Sequence, residues 1–413
     1  MLYNGYMAKI FENKHILLGT TGSIASYKTV DLASKLTQAG AQVKVILTEA
    51  AQKFVTPLTF QSVTGQKAYI DDDLWSGESQ VVHIGLGSEA DLMVIAPVSA
   101  NTIARLAQGL ADNLLCLTAL VIHCPILLAP AMDSGMFGHP ATQANLEILR
   151  QRGVYIAGPS EGRMASGLVG LGRMVEPVEL LGTIRFILGR DGELKGKQIV
   201  VTAGGTSEPI DAVRSITNRS SGKQGFAIAQ AAIDHGATVT LISANSSIVT
   251  PVGVHRIDIS TAQEMHNAVM DAIKTADALI MAAAVADFRP DEVTNLKIKK
   301  EAGIPEIHLT YTKDILSDVR EYRKKDGHPK VVIGFAAESQ DLVHNARQKL
   351  ERKNLDLIVA NDILAKDAGF AVDTNRVTLI GKEGEVAQYP LMSKEEVAEL
   401  IINKLIQLIA ISI

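Results

Sequence analysis

The sequence predicts an α/β protein made of two doubly wound, Rossmann-like domains with mainly parallel sheets. Short apolar runs recur along both halves of the 413-residue chain, and helical spacing of apolar residues follows most of them. Hydrophobic residues make up 47% of the chain and aromatic residues only 4%. The core must therefore consist mainly of Ala, Val, Ile and Leu, which suits parallel sheets covered by helices.

A domain boundary is expected near residue 190. Glycine and charged residues concentrate at 188–197, after which the pattern of strand, turn and helix starts again. A chain of this length also exceeds a single hydrophobic core. We therefore expect one domain at 1–189 and a second at 190–413.

Charge and cysteine content exclude several classes of function. The net charge of −5, with no basic run longer than 297–300, argues against a nucleic-acid partner. Cys116 and Cys124 are too few for a disulfide framework or a thiolate metal site, which favours a reducing cytoplasm. Residues 1–15 lack the apolar core of a signal peptide, and no stretch of about 18 apolar residues occurs. A soluble, cytoplasmic protein without membrane contact is expected.

The first half opens with a strand, a helix and a strand. An apolar strand at 14–22 ends in glycines, helical spacing runs from Ser23 to Gln38, and a second strand follows at 41–48. The pattern is similar to a dinucleotide fold but lacks G-x-G-x-x-G, so NAD is not predicted. Ser23 can either cap the helix or hold a phosphate at its start.

Two further buried strands are expected at 91–97 and 125–132, each with a proline-marked end. A helix of small residues is predicted between them, from about 101 to 121, with Ser99 at its start as a cap or as a ligand-binding hydroxyl. The segment 158–173 holds five glycines without periodicity, which favours a mobile flap over a strand or a helix.

The second half repeats the alternation. Strands are expected at 198–203, 237–243, 278–283, 331–336 and 355–360, which indicates a second doubly wound parallel sheet. Polar residues gather at the ends of these strands, where open α/β sheets bind ligands: Asp287, Glu338, Asn361 and Asp362.

The stretch 201–226 is the clearest candidate site. A buried strand leads there into two turns rich in glycine and serine, and Gly204 and Gly205 permit close backbone approach. Exposed backbone N–H groups before a helix favour a phosphate, to which the serines and Lys223 would add donors. The P-loop pattern is absent because Gln224 follows the lysine, so an ordinary kinase or ATPase is excluded. The alternative is a solvated connecting loop.

Several motifs, in this order, resemble the bifunctional enzymes of coenzyme A synthesis that join phosphopantothenate to cysteine and decarboxylate the product to 4'-phosphopantetheine. They are GTTGSIASYK, VHIGL, APVSANT and PAM in the first half, and RSITNRSSGKQGFAIA, AAAVADF, LKIKK, GFAAES and KNLDLIVAND in the second. The resemblance covers nearly the entire chain. It implies a domain of the flavin-dependent cysteine decarboxylase type at 1–189 and a CTP-dependent phosphopantothenate–cysteine ligase domain at 190–413.

For the first half, the resemblance implies FMN as the cofactor, bound between subunits of a trimer. Oxidation of the substrate CH2–SH group to a thioaldehyde would supply the electron sink that decarboxylation needs. The residues implied to contact flavin or its phosphate are Gly22, Ser23, Thr48, Ser99 and Asn101.

Four further positions of the first half carry the implied chemistry or depart from the family pattern. His83 matches the active-site histidine, which orients substrate or helps to move a proton, and a structural histidine is the alternative. Met132 belongs to the substrate motif, but Asp133 replaces its asparagine, and an ionised aspartate would repel the substrate carboxylate. Ser166 replaces the cysteine proton donor of many relatives and is a much poorer acid, so we expect a slow reductive step.

For the second half, the resemblance implies transfer of CMP from CTP to the phosphopantothenate carboxylate, after which the cysteine amine displaces CMP. Mg²⁺ would neutralise the triphosphate, with protein ligands that the sequence does not identify. Asn218 matches the residue that holds the acyl-cytidylate, and Arg214 suits an anionic group of the substrate. The positions implied to bind nucleotide are Gly205, Ser220, Ser221, Gly222, Met281, Ala282, Ala283, Asp287, Lys297, Lys313, Asp314, Ile315, Leu316, Phe335, Lys349 and Lys353.

Alternatives stay open at this point. Because Asp133 and Ser166 replace residues of the family pattern, the first half can be a flavin-binding regulatory domain instead of a decarboxylase. A third hypothesis is a two-domain dinucleotide oxidoreductase, but neither glycine turn has the pattern that NAD(P) binding requires. Lys349 and Lys353 lie four apart on one helix face, where they either share an anion or face solvent. The implied partners are 4'-phosphopantothenate, cysteine and CTP, in a homo-oligomer that combines trimers of the first half with dimers of the second, up to a dodecamer.

Overall fold

A computed structural model describes residues 9–75, 81–165, 167–299, 305–338, 341–362 and 372–411. The chain divides into two compact units, with the division between Leu188 and Gly189. Each unit is built on one large sheet whose strands are mostly parallel. The predicted fold class is confirmed.

The first unit alternates strands and helices along the chain. Its elements are β1 (His15–Thr20), α1 (Ser26–Gln38), β2 (Gln42–Leu47), α2 (Pro57–Thr64), β3 (Ala68–Tyr69), α3 (Val82–Glu89), β4 (Leu92–Val98), α4 (Ala100–Gln108), α5 (Leu114–Val121), β5 (Ile126–Pro130), α6 (Ser134–Gly138), α7 (Pro140–Gln151), β6 (Tyr155–Ile156), β7 (Ser160–Arg163), β8 (Val169–Arg173) and α8 (Pro177–Gly189). Short 3₁₀ turns lie at Lys9–Phe11, Ala51–Lys53 and Asp71–Trp75.

Six of these strands form one parallel sheet in the order β3-β2-β1-β4-β5-β6. The central strands are buried on both faces: Leu18 packs into one hydrophobic cluster, and its neighbour Leu17 packs into a different one. Because successive side chains of a strand point to opposite faces, both faces need apolar residues. This is why the central strands read as continuous apolar runs in the sequence.

The first unit differs from the sequence expectations at three places. The helix predicted at 101–121 is two helices, since Gly109 adopts a left-handed conformation (φ 71°) after α4, and Asn113 caps α5. Helix α1 begins at Ser26, three residues later than expected. The glycine-rich segment expected to be a mobile flap forms the antiparallel pair β7 and β8. Antiparallel pairing needs no periodic apolar pattern when the strands lie at the surface, so the sequence did not indicate it.

The second unit has its own set of elements. They are β9 (Gln198–Gly204), β10 (Ser207–Pro209), β11 (Ser215–Thr217), α9 (Lys223–Asp234), β12 (Thr238–Ala244), β13 (His255–Ile259), α10 (Ala262–Ala272), β14 (Ala278–Met281), β15 (Phe288–Pro290), β16 (Leu309–Tyr311), α11 (Ile315–Asp326), β17 (Val331–Glu338), α12 (Leu342–Lys353), β18 (Leu357–Asp362), β19 (Thr374–Asn375), β20 (Val377–Gly381), β21 (Val386–Gln388), β22 (Met392–Ser393) and α13 (Lys394–Ile411).

Eight strands form the large sheet of this unit, in the order β13-β12-β9-β14-β17-β18-β20-β21. The strands from β13 to β18 are parallel, and the five predicted strands lie within two residues of their expected bounds. The pairs β18–β20 and β20–β21 are antiparallel and add an edge that the sequence did not predict. Three small antiparallel pairs also occur: β10 with β11, β15 with β16, and β19 with β22.

Helix α9 packs unusually close to β9. A Cβ atom on Gly225 would lie 2.5 Å from the Cβ of Ala203 and 2.8 Å from the carbonyl oxygen of Thr202. Gly222, at φ 79°, starts the helix without a side-chain cap. Glycine at these two positions therefore lets the helix begin directly above the end of β9.

Of the helices in the ranges given above, none combines the length and the apolar composition that a membrane crossing requires.

Candidate functional site

Both large sheets have the same switch in strand order. In each, the first strand lies beside the second on one side and beside the fourth on the other: β1 between β2 and β4, and β9 between β12 and β14. Connections leave such a switch point in opposite directions, so a crevice opens at the carboxyl ends of the two central strands. Each unit therefore has a candidate site at a defined place.

A cavity of about 580 Å³ lies at the switch point of the first unit. Its volume is in the range of small-molecule and cofactor sites, about 300–1,000 Å³. Five predicted site residues line it: Gly22, Ser23, Ser99, Met132 and Asp133. The lining also includes residues that the sequence reasoning missed, among them Tyr27, Lys28, Met136, Arg163, Met164 and Arg173.

Thr21 joins the two loops at the mouth of this switch point. Its buried hydroxyl donates to the carbonyl oxygen of Pro97 at 2.8 Å and accepts from the backbone N–H of Ser99 at 2.9 Å. The loop after β1 and the loop after β4 are thereby held together. The cavity wall formed by Ser23 and Ser99 is consequently pre-formed in this structure.

The two serines make local hydrogen bonds within the chain. The hydroxyl of Ser99 accepts from the N–H of Thr102 at 3.3 Å and caps α4, whereas that of Ser23 accepts from Ala25 N–H at 3.3 Å in the turn before α1, which has no side-chain cap. Both serines also line the cavity. Their backbone N–H groups belong to turns before helices, where anions bind well.

Gly22 sits where the chain has no room for a side chain. A Cβ atom there would lie 2.6 Å from the Cβ of Ala50. Thr48 lies nearby in the loop after β2, where its hydroxyl accepts from Ala51 N–H at 3.3 Å. Thr48 and Asn101 do not line the cavity, and Asn101 is exposed. The structure thus brings together three of the five predicted flavin contacts.

Lys28 is a buried cation at the cavity. Its ammonium group donates to the carbonyl oxygen of Met174 at 3.1 Å and to the carboxylate of Glu176 at 2.7 Å. The sequence contains a signal for this burial, because Lys28 precedes Leu32 and Leu36 at helical spacing and so lies in the apolar stripe of α1.

His83 lies in the first turn of α3 and is half-buried. Its Nδ1 is buried and has no hydrogen-bond partner among the residues that the structure describes. Buried polar atoms are usually paired, so an unsatisfied one calls for an explanation. His83 does not line the cavity of its own unit.

Asp133 has a local structural role. Its carboxylate accepts from Gly135 N–H at 2.9 Å and caps the short helix α6. The neighbouring Met132 N–H donates to the carbonyl oxygen of Gly172 at 3.0 Å, so β8 lies directly on this segment. The predicted proton donor, Ser166, lies outside the described residues.

The two cysteines differ in environment. Cys116 is buried, and this burial raises the pKa of its thiol to about 11. Cys124 is only half-buried. Because of its high pKa, the Cys116 thiol stays protonated and unreactive at neutral pH.

The glycine turn of the second unit is closely packed. Gly204 has φ 85°, and a Cβ atom there would lie 1.9 Å from the carbonyl oxygen of Ala244. Gly205 pairs with Ala284 in an isolated parallel bridge. The turn after β9 therefore runs beside the segment after β14, and the predicted nucleotide positions are the last residue of that strand, Met281, and the next two, Ala282 and Ala283.

Asn218 reaches this same place. Its side-chain N–H donates to the carbonyl oxygen of Ala284 at 3.0 Å, and the residue is exposed. Gly222 lies beside Gly204, since a Cβ atom on it would be 3.3 Å from Gly204 N. The two glycine turns, which a polar loop separates in the sequence, thus meet at the start of α9, next to Ser220 and Ser221. The first backbone N–H groups of a helix have no partners within it, so this start is suited to an anion.

Several predicted nucleotide residues gather in a second group near α11. Asp314 caps α11 by accepting from Ser317 N–H at 3.1 Å, and it pairs with Lys353. Although burial favours the protonated acid, hydrogen bonds from Lys353 and Ser317 hold the pKa of Asp314 below its usual range. Lys349 donates to the carbonyl oxygen of Phe335 at 2.8 Å. Neither lysine simply faces solvent, and Lys353 is buried.

The loop of Asp287 connects these groups. The carbonyl oxygen of Asp287 accepts from Thr312 N–H at 3.0 Å, which ties the segment after β14 to the residues before α11. The side chains of Asp287, Lys297 and Lys313 are exposed. Ile315 is buried, and Leu316 packs partly buried against the core.

Arg214 is already engaged within the chain. Its guanidinium donates to the buried carboxylate of Asp211 at 2.8 Å and to the carbonyl oxygen of Ile298 at 3.3 Å. Hydrogen bonds from Val213 N–H, Ile298 N–H and Arg214 hold the pKa of Asp211 below its usual range. This cluster positions the loop next to Lys297. About half of the Arg214 side chain stays exposed and available to an anion.

Within the described ranges, no group of three or more His, Cys, Asp or Glu side chains is arranged to hold a metal ion. A metal that bridges nucleotide phosphates needs fewer protein ligands, because the phosphates supply several oxygens.

Family models match both units. The model described as "Flavoprotein" matches residues 8–188, and the model described as "DNA/pantothenate metabolism flavoprotein C-terminal domain" matches residues 194–409.

Curated relatives match the chain almost from end to end. The coenzyme A biosynthesis bifunctional protein CoaBC of Bacillus subtilis is 44% identical over 399 residues, which are 96% of this chain and 97% of that protein. The protein of the same name from Vibrio vulnificus is 42% identical over 396 residues, 95% of this chain and 97% of that one. A crystal structure of the C-terminal domain of a CoaBC protein is 38% identical, with a TM-score of 0.45, and covers 53% of this chain and 98% of its own.

Proposed function

Because the chain belongs to the family of coenzyme A biosynthesis bifunctional proteins, we propose that its second unit joins 4'-phosphopantothenate to cysteine and that its first unit decarboxylates the product to 4'-phosphopantetheine. The chain is accordingly a bifunctional enzyme, a phosphopantothenate–cysteine ligase and a phosphopantothenoylcysteine decarboxylase. CTP, FMN and Mg²⁺ are the co-substrate, the cofactor and the metal that we propose for it.

The cavity of the first unit suits FMN. Its volume is large enough for the cofactor, and Gly22 adds no side chain to its wall. Ser23 and Ser99, which precede helices, offer backbone N–H and hydroxyl groups to a phosphate. A bound flavin supplies the electron sink that makes loss of CO2 from a cysteine-like carboxylate feasible. Thr48 and Asn101 do not line the cavity, so only the resemblance to the family supports them as flavin contacts.

Residues of the chain itself would bind and orient the substrate in this unit. Met132 and Asp133 follow β5 at the cavity, and the cap to Gly135 N–H engages the Asp133 carboxylate and draws it from the substrate. The unpaired Nδ1 of His83 is available to hold or move a proton. We place Ser166 as a weak replacement for the usual donor.

The second unit would bind the triphosphate of CTP at the start of α9. Gly205, Ser220, Ser221 and Gly222 surround that start and would supply N–H and hydroxyl donors, and Mg²⁺ would neutralise charge on the triphosphate. The base and ribose would bind to Phe335, to Asp287 and to the group formed by Asp314, Lys349 and Lys353. Lys297 and Lys313 are exposed cations that would close on the phosphates.

The reaction then proceeds in two displacements. The phosphopantothenate carboxylate attacks the α-phosphorus of CTP, an acyl–phosphate bond forms, and pyrophosphate leaves. The amine of cysteine next attacks the acyl carbon, an amide bond forms, and CMP leaves with the bonding electrons. Asn218 would hold the acyl-cytidylate for this attack, and Arg214 would bind an anionic group of the substrate.

One observation supports the placement of the ligase site most strongly. The amide of Asn218 lies 3.0 Å from the carbonyl oxygen of Ala284, beside the turn of Gly205. The sequence motifs that contain these three residues were separate in the chain, and the fold brings them together at the switch point.

We further propose a cytoplasmic homo-oligomer, with trimers of the first unit and dimers of the second. Exposed apolar side chains in both units suit self-association, among them Leu168, Val169 and Leu171 in the first and Val213, Leu309 and Tyr311 in the second. A histidine that acts across a subunit interface would also account for the position of His83 away from the cavity of its own unit.

The test is to incubate the purified protein with 4'-phosphopantothenate, cysteine, CTP and Mg²⁺, and to follow pyrophosphate, CO2 and the product mass. We expect all three signals, with part of the product lighter by about 2 Da because Ser166 is a poor acid. Pyrophosphate without CO2 would restrict the function to the ligase and leave the first unit a flavin-binding domain. Absence of both would contradict the proposal.

A further inference from the structure

A second asparagine, Asn245, holds the glycine turn of the second unit. It follows β12, whereas Ala284 follows β14, and these two strands flank β9 on its two sides. Asn218 is bonded to the Ala284 side of the turn. The turn at Gly204 and Gly205 is thus bonded directly by the Asn245 side chain, and on its other side it pairs with Ala284, whose carbonyl oxygen accepts from Asn218.

Asn245 joins three segments with one amide group. Its Nδ2 donates to the carbonyl oxygen of Gly205 at 3.0 Å and to that of Ser260 at 3.3 Å. The Ser260 carbonyl also accepts from Ser207 N–H at 2.8 Å. Ser260, which follows β13, is therefore connected twice to the chain that leaves the glycine turn, once through Asn245 to Gly205 and once directly to Ser207.

The backbone of Asn245 restricts which residue can serve here. Its φ of 45° is in the left-handed region, which Gly and Asn adopt far more readily than other residues. Of these two, only asparagine also carries an N–H donor. The position therefore needs both the backbone tolerance and the side-chain amide.

Fixing the Gly205 carbonyl also fixes the peptide that follows it. The next N–H, of Thr206, donates to Ala284 O at 3.2 Å, and the place of a Cβ on Gly205 lies 2.8 Å from Asn218 O. If the turn moved, it would press on Asn218 or leave it unsupported. The geometry of the turn and the placement of Asn218 are therefore linked.

We infer that Asn245 is a positioning residue of the ligase reaction, which sets the glycine turn at the distance from Asn218 that CTP binding requires. This inference rests on the ligase function proposed above. Asn245 acts through Gly205 and is not assigned a contact with substrate.

Two substitutions separate its backbone role from its amide role. Asn245→Gly keeps the left-handed backbone and removes the donor. Asn245→Asp keeps the shape but places a carboxylate against two carbonyl oxygens. Pyrophosphate release is measured with CTP varied and then with cysteine varied. We expect kcat/KM for CTP to fall about tenfold in Asn245→Gly and about a hundredfold in Asn245→Asp, with KM for CTP rising and KM for cysteine unchanged.

Asn354→Asp is the matched control. Asn354 also has a left-handed backbone, at φ 51°, but it ends α12, where its carbonyl oxygen accepts from Arg323. Thermal unfolding reports whether the second unit of each variant is folded, and CO2 release from supplied phosphopantothenoylcysteine reports whether the first unit is unaffected.

The outcomes distinguish a failure of this inference from a failure of the proposed ligase function. Wild-type protein that releases no pyrophosphate overturns the proposed ligase and this inference with it. An active wild type with an unchanged KM for CTP in both Asn245 variants overturns the inference alone. Lower kcat without a change in KM for CTP would do the same, because it would leave unaffected the CTP binding that the inference assigns to the turn.

Discussion

The side-chain amide of Asn218 lies 3.0 Å from the carbonyl oxygen of Ala284, 66 residues away along the chain. This hydrogen bond joins the loop before α9 to the segment after β14. It places an exposed carboxamide at the edge of the crevice where nucleotide and substrate would meet. The position of Asn218 is therefore one that a side chain can occupy for reaction chemistry without being needed for the core.

Asn218→Asp should impair amide formation while the protein stays folded. The substitution removes an N–H donor and adds a negative charge beside an anionic acyl-cytidylate, for which we expect a loss of about a hundredfold in ligase turnover. The measurement is pyrophosphate release and product formation with all substrates present. CO2 release from supplied phosphopantothenoylcysteine is the internal control and should be unchanged. Ligase turnover equal to that of the wild type would contradict the placement.

Gly22→Ala should weaken flavin binding. The added methyl group would lie 2.6 Å from the Cβ of Ala50, so the loop that carries Ser23 must shift. Overpacking of this kind costs about 1–3 kcal/mol, and if the bound state bears this cost the Kd for FMN rises by a factor between about 5 and about 150. The measurement is a fluorescence titration of flavin-depleted protein with FMN.

Gly138→Ala is the control for Gly22. A Cβ atom on Gly138 meets no atom within 4 Å, and the residue is exposed. Its Kd should equal that of the wild type. If Gly22→Ala binds FMN as tightly as this control does, the cavity is not the flavin site.

The stability of the second unit should depend on pH through His235. The imidazole lies 2.9 Å from Glu193 and 3.0 Å from Glu399. Chiefly because of the hydrogen bond to Glu399, and then that to Glu193, its pKa rises to about 9. A pKa raised in the folded state stabilises the fold fully below the unfolded value of about 6.5 and loses this contribution as pH rises toward 9. The difference between the two values corresponds to at most about 3 kcal/mol.

The check is thermal unfolding of the wild type and of His235→Gln at about pH 6 and about pH 9.5. The wild type should lose more stability over this interval than the variant, since glutamine keeps hydrogen-bonding capacity but carries no charge. Parallel changes of Tm in the two proteins would show that His235 does not contribute in this way.

Thiol reagents should distinguish the two cysteines. Cys116 is buried and its thiol has a pKa of about 11, whereas Cys124 is half-buried. At neutral pH we expect labelling of Cys124 first, with Cys116 protected until the protein unfolds. Mass spectrometry after timed labelling measures this, and Cys124→Ser isolates the Cys116 signal. Rapid modification of Cys116 in that variant would mean that the first unit opens around α5.

The local sequence was enough to predict most of the parallel strands. Runs such as 198–203 are apolar on both faces because helices cover both sides of the sheet, and this leaves a strong local signal. The glycine turns at Gly204 and Gly222 could also be predicted from local sequence, because a left-handed backbone favours glycine at these positions. Surface pairs such as β7 with β8 carry no such signal and were missed.

The site was predictable only as separate pieces. Motif resemblance identified Asn218, Gly205 and the 281–283 segment one by one, but no local pattern tells which strands become neighbours. The buried states of Lys28 and Lys353 depend on partners far away in the chain, Glu176 and Asp314. Lysines with and without such partners look alike in sequence.

The sequence by itself thus determined the fold class, most of the parallel strands of both sheets, and the family to which the chain is similar. Only the tertiary structure decided that β9 lies between β12 and β14, and so that Asn245 bonds the glycine turn on one side while Asn218 bonds Ala284 on the other. The physical reason is the range of the interactions. Helical and strand periodicity act over a few residues, whereas strand order is set by packing contacts between segments tens of residues apart.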